Sequence, residues 1–185
     1  MCTKHQFILK EEQNYWTQRY KEQQTGWDIG YPSTPIKEYV DQLTDNTIEI
    51  LIPGAGNAYE AEYLWRKGFK NVHILDISDV PLIQFKKRNP DFGNRRTGPP
   101  CQRNPDFPVT QMHQADFFEF QGQYDLIIEQ TFFCSIVPSD KNRNAYAKHM
   151  AELLKPTGKL VGVWFNIPLS GDMEKRPFGG DKKLY

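Results

Sequence analysis

The run Ile48-Glu49-Ile50-Leu51-Ile52-Pro53-Gly54-Ala55-Gly56 reads as an apolar strand that ends on a Gly-x-Gly turn. Glycine there lets the main chain bend sharply, and its missing Cβ lets a ligand approach the backbone. A second apolar run, Val72 to Leu75, closes on Asp76, twenty residues beyond Gly56. Open α/β sheets bind ligands beyond the carboxyl ends of their strands, and an acid at the end of the second strand can accept both hydroxyls of a ribose. Strand, turn, helix, second strand and terminal acid in register predict a nucleoside site; a plain strand-to-helix turn without a ligand is the alternative. A dinucleotide would need a third glycine to bring its pyrophosphate onto the helix start. Tyr59 stands in that place, and no Gly-x-x-x-x-Gly-Lys-Ser/Thr segment offers another phosphate cradle.

The elements that must hold these residues follow from periodicity. Leu9 to Gln23 reads as a polar helix studded with aromatics, and Ile36, Tyr39, Val40 and Leu43 recur at helical spacing after Thr34-Pro35. Ala58 to Lys67, Val80 to Lys87 and Asn142 to Leu154 are further helices. Val109 to Met112, Tyr124 to Ile128 and Lys159 to Phe165 complete a set of five strands. Strands alternating with helices of about ten residues predict βαβ units, hence a doubly wound, mostly parallel α/β sheet with helices on both faces.

One feature breaks the alternation. Arg88-Asn89-Pro90-Asp91-Phe92 returns fifteen residues later as Arg103-Asn104-Pro105-Asp106-Phe107. Two copies are too few for a solenoid, so residues 93–107 read as an insertion in a helix-to-strand connection, away from the ligand crevice.

The 185 residues suit a single domain, and 23 basic against 23 acidic side chains leave no net charge. That balance argues against nucleic-acid or membrane-surface partners. Cys2, Cys101 and Cys134 are odd in number and lack CxxC spacing, which points to no disulfide framework, no zinc site and a reducing, cytoplasmic setting. No apolar signal core or spanning segment is present in the sequence.

Five segments carry a resemblance to a known family: Trp27-Asp28-Ile29-Gly30, Leu51-Ile52-Pro53-Gly54-Ala55-Gly56, Leu75-Asp76-Ile77-Ser78, Ala115-Asp116-Phe117-Phe118, and Asp125 to Ile136 with its Phe132-Phe133-Cys134 core. With the helix end Glu152-Leu153-Leu154-Lys155-Pro156-Thr157-Gly158, they resemble the thiopurine methyltransferase-like group. The nearest likeness is to its plant halide/thiocyanate/thiol methyltransferase branch. The resemblance implies a Rossmann-like class I methyltransferase fold using S-adenosylmethionine, whose ribose without a phosphate agrees with Tyr59.

It further implies that Gly54 lies under the methionine part of the cofactor, that Gly56 belongs to the same cofactor-binding turn, and that Asp76 holds the ribose. Asp116 and Phe117 would meet the adenine, and Gln130 would touch the cofactor after the fourth strand. Trp16, Tyr20 and Trp27 match an aromatic lid, with Tyr20 standing where the plant enzymes have tryptophan. Trp16 and Tyr20, four apart, share a helix face, and a sulfonium is attracted to aromatic faces. Tyr31, Phe132, Phe133 and Trp164, with Asn166, are expected to line an acceptor pocket for a small soft nucleophile. Glu129 is open between orienting substrate and capping a turn. Cys134 reads as a buried filler, and His5, His73, His113 and His149 as structural or exposed.

The resulting division is one methyltransferase domain over residues 1–185: a helical lid region at 1–45, a cofactor core at 46–165, and an incomplete substrate-side tail at 166–185. The C-terminal hairpin usual to the fold is not found, so the fifth strand is expected to leave an edge open in a monomer or weak dimer. An NAD-linked oxidoreductase and a non-catalytic nucleoside-binding module are the alternative functions.

Overall fold

A computed structural model describes residues 4–89, 107–166 and 176–178, without side chains for residues 4–9. Five strands form one parallel sheet: β1 (Ile50–Pro53), β2 (Val72–Asp76), β3 (Met112–Gln114), β4 (Tyr124–Gln130) and β5 (Leu154–Val163). Their order is β3-β2-β1-β4-β5. The chain therefore reverses direction across the sheet between β1 and β4, and a crevice opens at their carboxyl ends. The helices are α1 (Lys4–Lys21), α2 (Thr34–Asp41), α3 (Tyr59–Arg66), α4 (Asp79–Arg88) and α5 (Asp140–Leu153).

Strand residues alternate between two apolar layers, as pleating requires. Ile50, Ile52, Ile74, Leu126 and Ile128 pack with Ile36 and Val40 of α2, Ala61 and Leu64 of α3, and Leu82 and Phe85 of α4. Leu51, Leu75 and Ile127 face the opposite way, onto Phe117 and onto Tyr146, Met150 and Leu153 of α5. Both faces of the sheet are thus covered, and β1 is buried along its whole length. Among the described residues, no helix is long and apolar enough to cross a membrane.

Of the boundaries that differ from those expected, three are informative. The weak strand at Val109 is a 3-10 turn, Val109–Gln111, and pairing with β2 begins only at Met112. The helix α4 starts at Asp79, because Ser78 caps it by accepting from the Val80 N–H. The fifth strand begins at Leu154 rather than Lys159. Leu154 pairs with Tyr124 and Lys159 with Leu126, so the intervening residues form an irregularity in the ladder rather than a free turn. Gly158 is needed there, since a Cβ would come within 2.7 Å of the Tyr124 carbonyl oxygen. Among the described residues β5 is the outer strand on its side of the sheet.

The expected insertion at 93–107 lies outside the described residues except for Phe107, but its flanks are informative. Arg88 and Asn89 of the first copy donate to Glu62. Phe107 of the second copy packs its ring 4.9 Å from Trp65 and 5.1 Å from Phe85. Asn89 is itself bonded to the Phe85 carbonyl one turn away. Removing residues 90–104 would rejoin Asn89 to Pro105 and restore one Arg-Asn-Pro-Asp-Phe copy that makes both sets of contacts. We expect that deletion to change the unfolding free energy by less than about 1 kcal/mol in urea titrations; a larger loss would show that the segment is needed for folding.

His73 on β2 and His113 on β3 stack with Nδ1 and Nε2 3.0 Å apart. Burial, joined at His113 by its neighbour's charge, holds both below the ordinary imidazole range. The unfolded chain therefore takes up protons before the folded one as pH falls through about 6.5, and stability is lost in that direction. The wild type is expected to lose stability faster than His113→Gln between about pH 7 and about pH 5. Parallel losses in the two proteins would remove the pair as the cause.

Candidate functional site

The crevice at the carboxyl end of the sheet holds a cavity of about 780 Å³, within the range of small-molecule sites. Its floor is the turn after β1. Gly54 and Gly56 adopt φ of 58° and 52°, a region that favours glycine. At Gly54 the reason is also steric, because a Cβ would fall 2.2 Å from the Phe132 ring.

Register places Asp76 beside this turn, since Pro53 pairs with Leu75. The Asp76 carboxylate is buried and accepts from the Gly56 N–H and the Ser78 N–H, each at 2.9 Å. Burial, which outweighs these hydrogen bonds, pushes it up to about 6. Two bonded carboxylate oxygens in a cavity retain lone pairs for a diol.

At one end of the cavity, Asp116 caps the 3-10 turn Phe117–Glu119 by accepting from the Phe118 N–H. Phe117 is buried there against Phe132, Tyr146 and His149. Gln130, at the end of β4, accepts from the Ser33 hydroxyl at 2.7 Å. Over the floor lies α1, tied to the start of α4 through Thr17 and the Ser78 hydroxyl at 2.9 Å. Trp16 and Tyr20 from this helix pack edge-on against Trp27 at 5.6 and 6.0 Å. Tyr20 closes over Gly56, with its hydroxyl 2.8 Å from where a Cβ would sit. Burial, with the Asp76 charge second, raises its phenol well above the usual range.

Trp16, Tyr20, Trp27, Gly54, Asp76, Asp116, Phe117, Gln130 and Phe132 therefore surround one cavity. Gly56 lies behind it and contributes its N–H to Asp76. Tyr31, Phe133 and Trp164, expected in the acceptor pocket, are not among the residues that line this cavity. Tyr31 follows a turn at Gly30 and is 59% exposed. Phe132 and Phe133 diverge at a 3-10 turn, and Phe133 is buried 4.8 Å from Tyr146. Trp164 packs against the core near α5 while Phe165 takes the lining position, and Asn166 is exposed.

Glu129 is fully buried, its carboxyl accepting from the Phe133 N–H and pushed up by burial to about 8. It caps the turn rather than facing the cavity. Cys134 does line the cavity, but burial, followed by the Glu129 charge, raises its thiol to about 12, and it donates to the Thr131 carbonyl. A thiol protonated at neutral pH is a filler rather than a nucleophile. Among the described residues no cluster able to hold a metal is found.

Among the lining residues that escaped the sequence reading are Glu12, Tyr15, Arg19 and Arg176. The first three share the face of α1 that carries Trp16 and Tyr20, at spacings of three, four, seven and eight from Glu12. That stripe was available to find them. Arg176 arrives from the tail, and no local pattern signals it. It donates to both Glu12 oxygens and to the Ser135 carbonyl, while the Phe178 N–H donates to the Cys134 carbonyl.

The family model for thiopurine S-methyltransferase matches residues 11–174. The chain belongs to the thiopurine S-methyltransferase family. The cofactor of that family is S-adenosylmethionine. Among curated relatives, the probable thiol methyltransferase 2 of Arabidopsis thaliana is 26% identical over 165 residues, covering 88% of this chain and 66% of that protein. Thiocyanate methyltransferase 1 of the same plant is 30% identical over 158 residues, covering 84% of this chain and 63% of its own length. The chain thus spans somewhat less than two thirds of either relative.

Solved structures share the fold. The magnesium protoporphyrin IX methyltransferase from Synechocystis with bound SAM superposes with a TM-score of 0.62 at 13% identity, covering 95% of this chain and 81% of its own. The DhpI-SAM-HEP complex gives a TM-score of 0.59 at 19% identity, covering 86% and 67%.

The residues present fit such a cofactor. Asp76 offers a buried carboxylate to a ribose, Gly54 lines the floor without a side chain, and Phe117 offers a ring beside Asp116. A dinucleotide fits less well: Tyr59 begins α3, and its ring is covered by the Arg88 guanidinium at 4.2 Å, where a third glycine would admit a pyrophosphate.

Proposed function

We propose that this chain is an S-adenosylmethionine-dependent methyltransferase acting on a small soft nucleophile: a thiol, hydrosulfide, thiocyanate or halide. When bound, the cofactor supplies a methyl group on a sulfonium, which an acceptor lone pair takes as the carbon–sulfur electron pair returns to neutral sulfur. Asp76 and Gly54 hold and seat the cofactor's ribose and methionine ends, and Asp116 with Phe117 holds its adenine. Trp16, Tyr20 and Trp27 exclude water and present ring faces to the cation. The chain's work is alignment.

The observation that carries the acceptor class is the chemistry of the lining. Among its described residues there is no histidine, Cys134 is a protonated thiol, and Glu12 is committed to Arg176. Asp76 and Asp116 belong to the cofactor's end. A lining with no histidine and no thiolate suits nucleophiles that need no general base. The thiol and thiocyanate methyltransferase names of the relatives agree with this reading.

A panel of hydrosulfide, thiocyanate, iodide and an aromatic thiol, assayed with a labelled methyl donor, tests it. Transfer to at least one is expected. A protein that binds S-adenosylhomocysteine yet methylates none of the four would instead be a non-catalytic binding module.

A further inference from the structure

Two guanidiniums line the cavity, and they differ in how their charge is met. Arg176 is fully engaged: Nε donates to the Ser135 carbonyl at 2.8 Å and Nη2 to the two oxygens of Glu12 at 2.8 and 2.7 Å. Arg19 has no such partner. Its Nη1 donates to the neutral Gln24 side-chain oxygen at 3.1 Å, and among the described residues no carboxylate pairs with it. Its Nε is buried without any hydrogen-bond acceptor. The guanidinium carbon lies 5.5 Å from the centre of the Trp27 ring and 6.0 Å from that of Tyr15, so among the described residues the half-buried group is flanked by aromatics rather than by an acid. A buried donor left unmade is disfavoured, and a guanidinium is suited to planar anions.

Its position says which part of a ligand it meets. Tyr20, the next residue, closes over Gly56, and Trp27 packs on Tyr20 and Trp16. Arg19 therefore stands beside the aromatic lid that closes over the glycine turn. We infer that Arg19 is an anion-binding residue of this site. It takes the carboxylate of the cofactor's amino-acid end or, with the same chemistry, a negatively charged acceptor.

The inference rests on the cavity holding S-adenosylmethionine, and the test separates the two. Calorimetry on wild type and Arg19→Gln would use S-adenosylhomocysteine and its decarboxylated analogue, which keeps the nucleoside, the thioether and the amine. Wild type is expected to bind the carboxylate-bearing ligand at least about tenfold more tightly, and Arg19→Gln to bring the two affinities within about threefold, with Arg19→Lys retaining most of the difference. If S-adenosylhomocysteine binding is unchanged but the KM for thiocyanate rises about tenfold, the anion is the acceptor, and the inference stands on that arm.

Equal weakening of both nucleoside ligands would overturn it, as would no change in any of the three quantities. The ligand pair compared in wild type alone serves if Arg19→Gln does not fold: equal affinities there, with an unchanged thiocyanate KM in the neutral Arg19→Met, would overturn it too. Wild type that binds neither nucleoside would refute the functional reading itself.

Discussion

Asp76→Ala is expected to weaken binding of S-adenosylhomocysteine about 100-fold, or about 3 kcal/mol, with the melting temperature moving by only a few degrees. The carboxylate stands at the carboxyl end of β2, buried in the wall of the cavity, where hydrogen bonds to a diol form in low dielectric. Two opposing effects on the fold explain the small change in stability. The variant strands the Gly56 and Ser78 N–H groups that Asp76 now accepts from, but it also removes a carboxylate that burial has raised to about 6.

The same shift gives the pH dependence. Ligand hydroxyls donate to the ionised form, so wild-type affinity falls as pH drops through about 6. The variant should lack that limb. Calorimetry from about pH 5 to about pH 8 checks both points, and wild-type-like affinity in Asp76→Ala would remove the ribose role.

Glu129 carries the second large effect, on stability. Its folded value of about 8 lies above the ordinary carboxyl value of 4.5. The unfolded chain thus releases its proton while the folded one keeps it, and stability falls as pH rises from 4.5 to about 8. Glu129→Gln has no proton to lose and retains an oxygen to accept the Phe133 N–H. It should match the wild type near pH 5 and exceed it near pH 9 by up to about 5 kcal/mol, or roughly 10 °C in Tm. Glu129→Ala removes that acceptor and opens a void in a site with no exposure; a loss of about 3 kcal/mol near pH 5 is expected. Melting curves across this range decide, and parallel pH profiles for wild type and Glu129→Gln would sink the account.

Glu129 also marks where reading along the chain stops working. Apolar runs and breakers foretell β1, β2 and β4, and alternation along them already assigns Leu51 and Ile127 to one layer and Ile50 and Leu126 to the other, because a strand turns its side chains by a fixed period. The Gly54 turn and Asp76 are legible for a related reason: parallel pairing of adjacent strands must bring their carboxyl ends together. Helical spacing likewise puts Trp16 and Tyr20 on one face, and would have added Glu12, Tyr15 and Arg19.

Past Gln130 no period applies. Phe132 faces Gly54 and Phe133 faces Tyr146 because a buried carboxyl two strand positions from Thr131 gathers the turn's N–H groups, with Thr131 at φ 57°. Neither residue type reveals that choice. The ladder irregularity that starts β5 at Leu154, the exposure of Tyr31, and the arrival of Arg176 beside Glu12 belong to the same group. Each is set by packing between segments far apart in the chain, where contacts rather than local backbone preference choose the direction of the side chain.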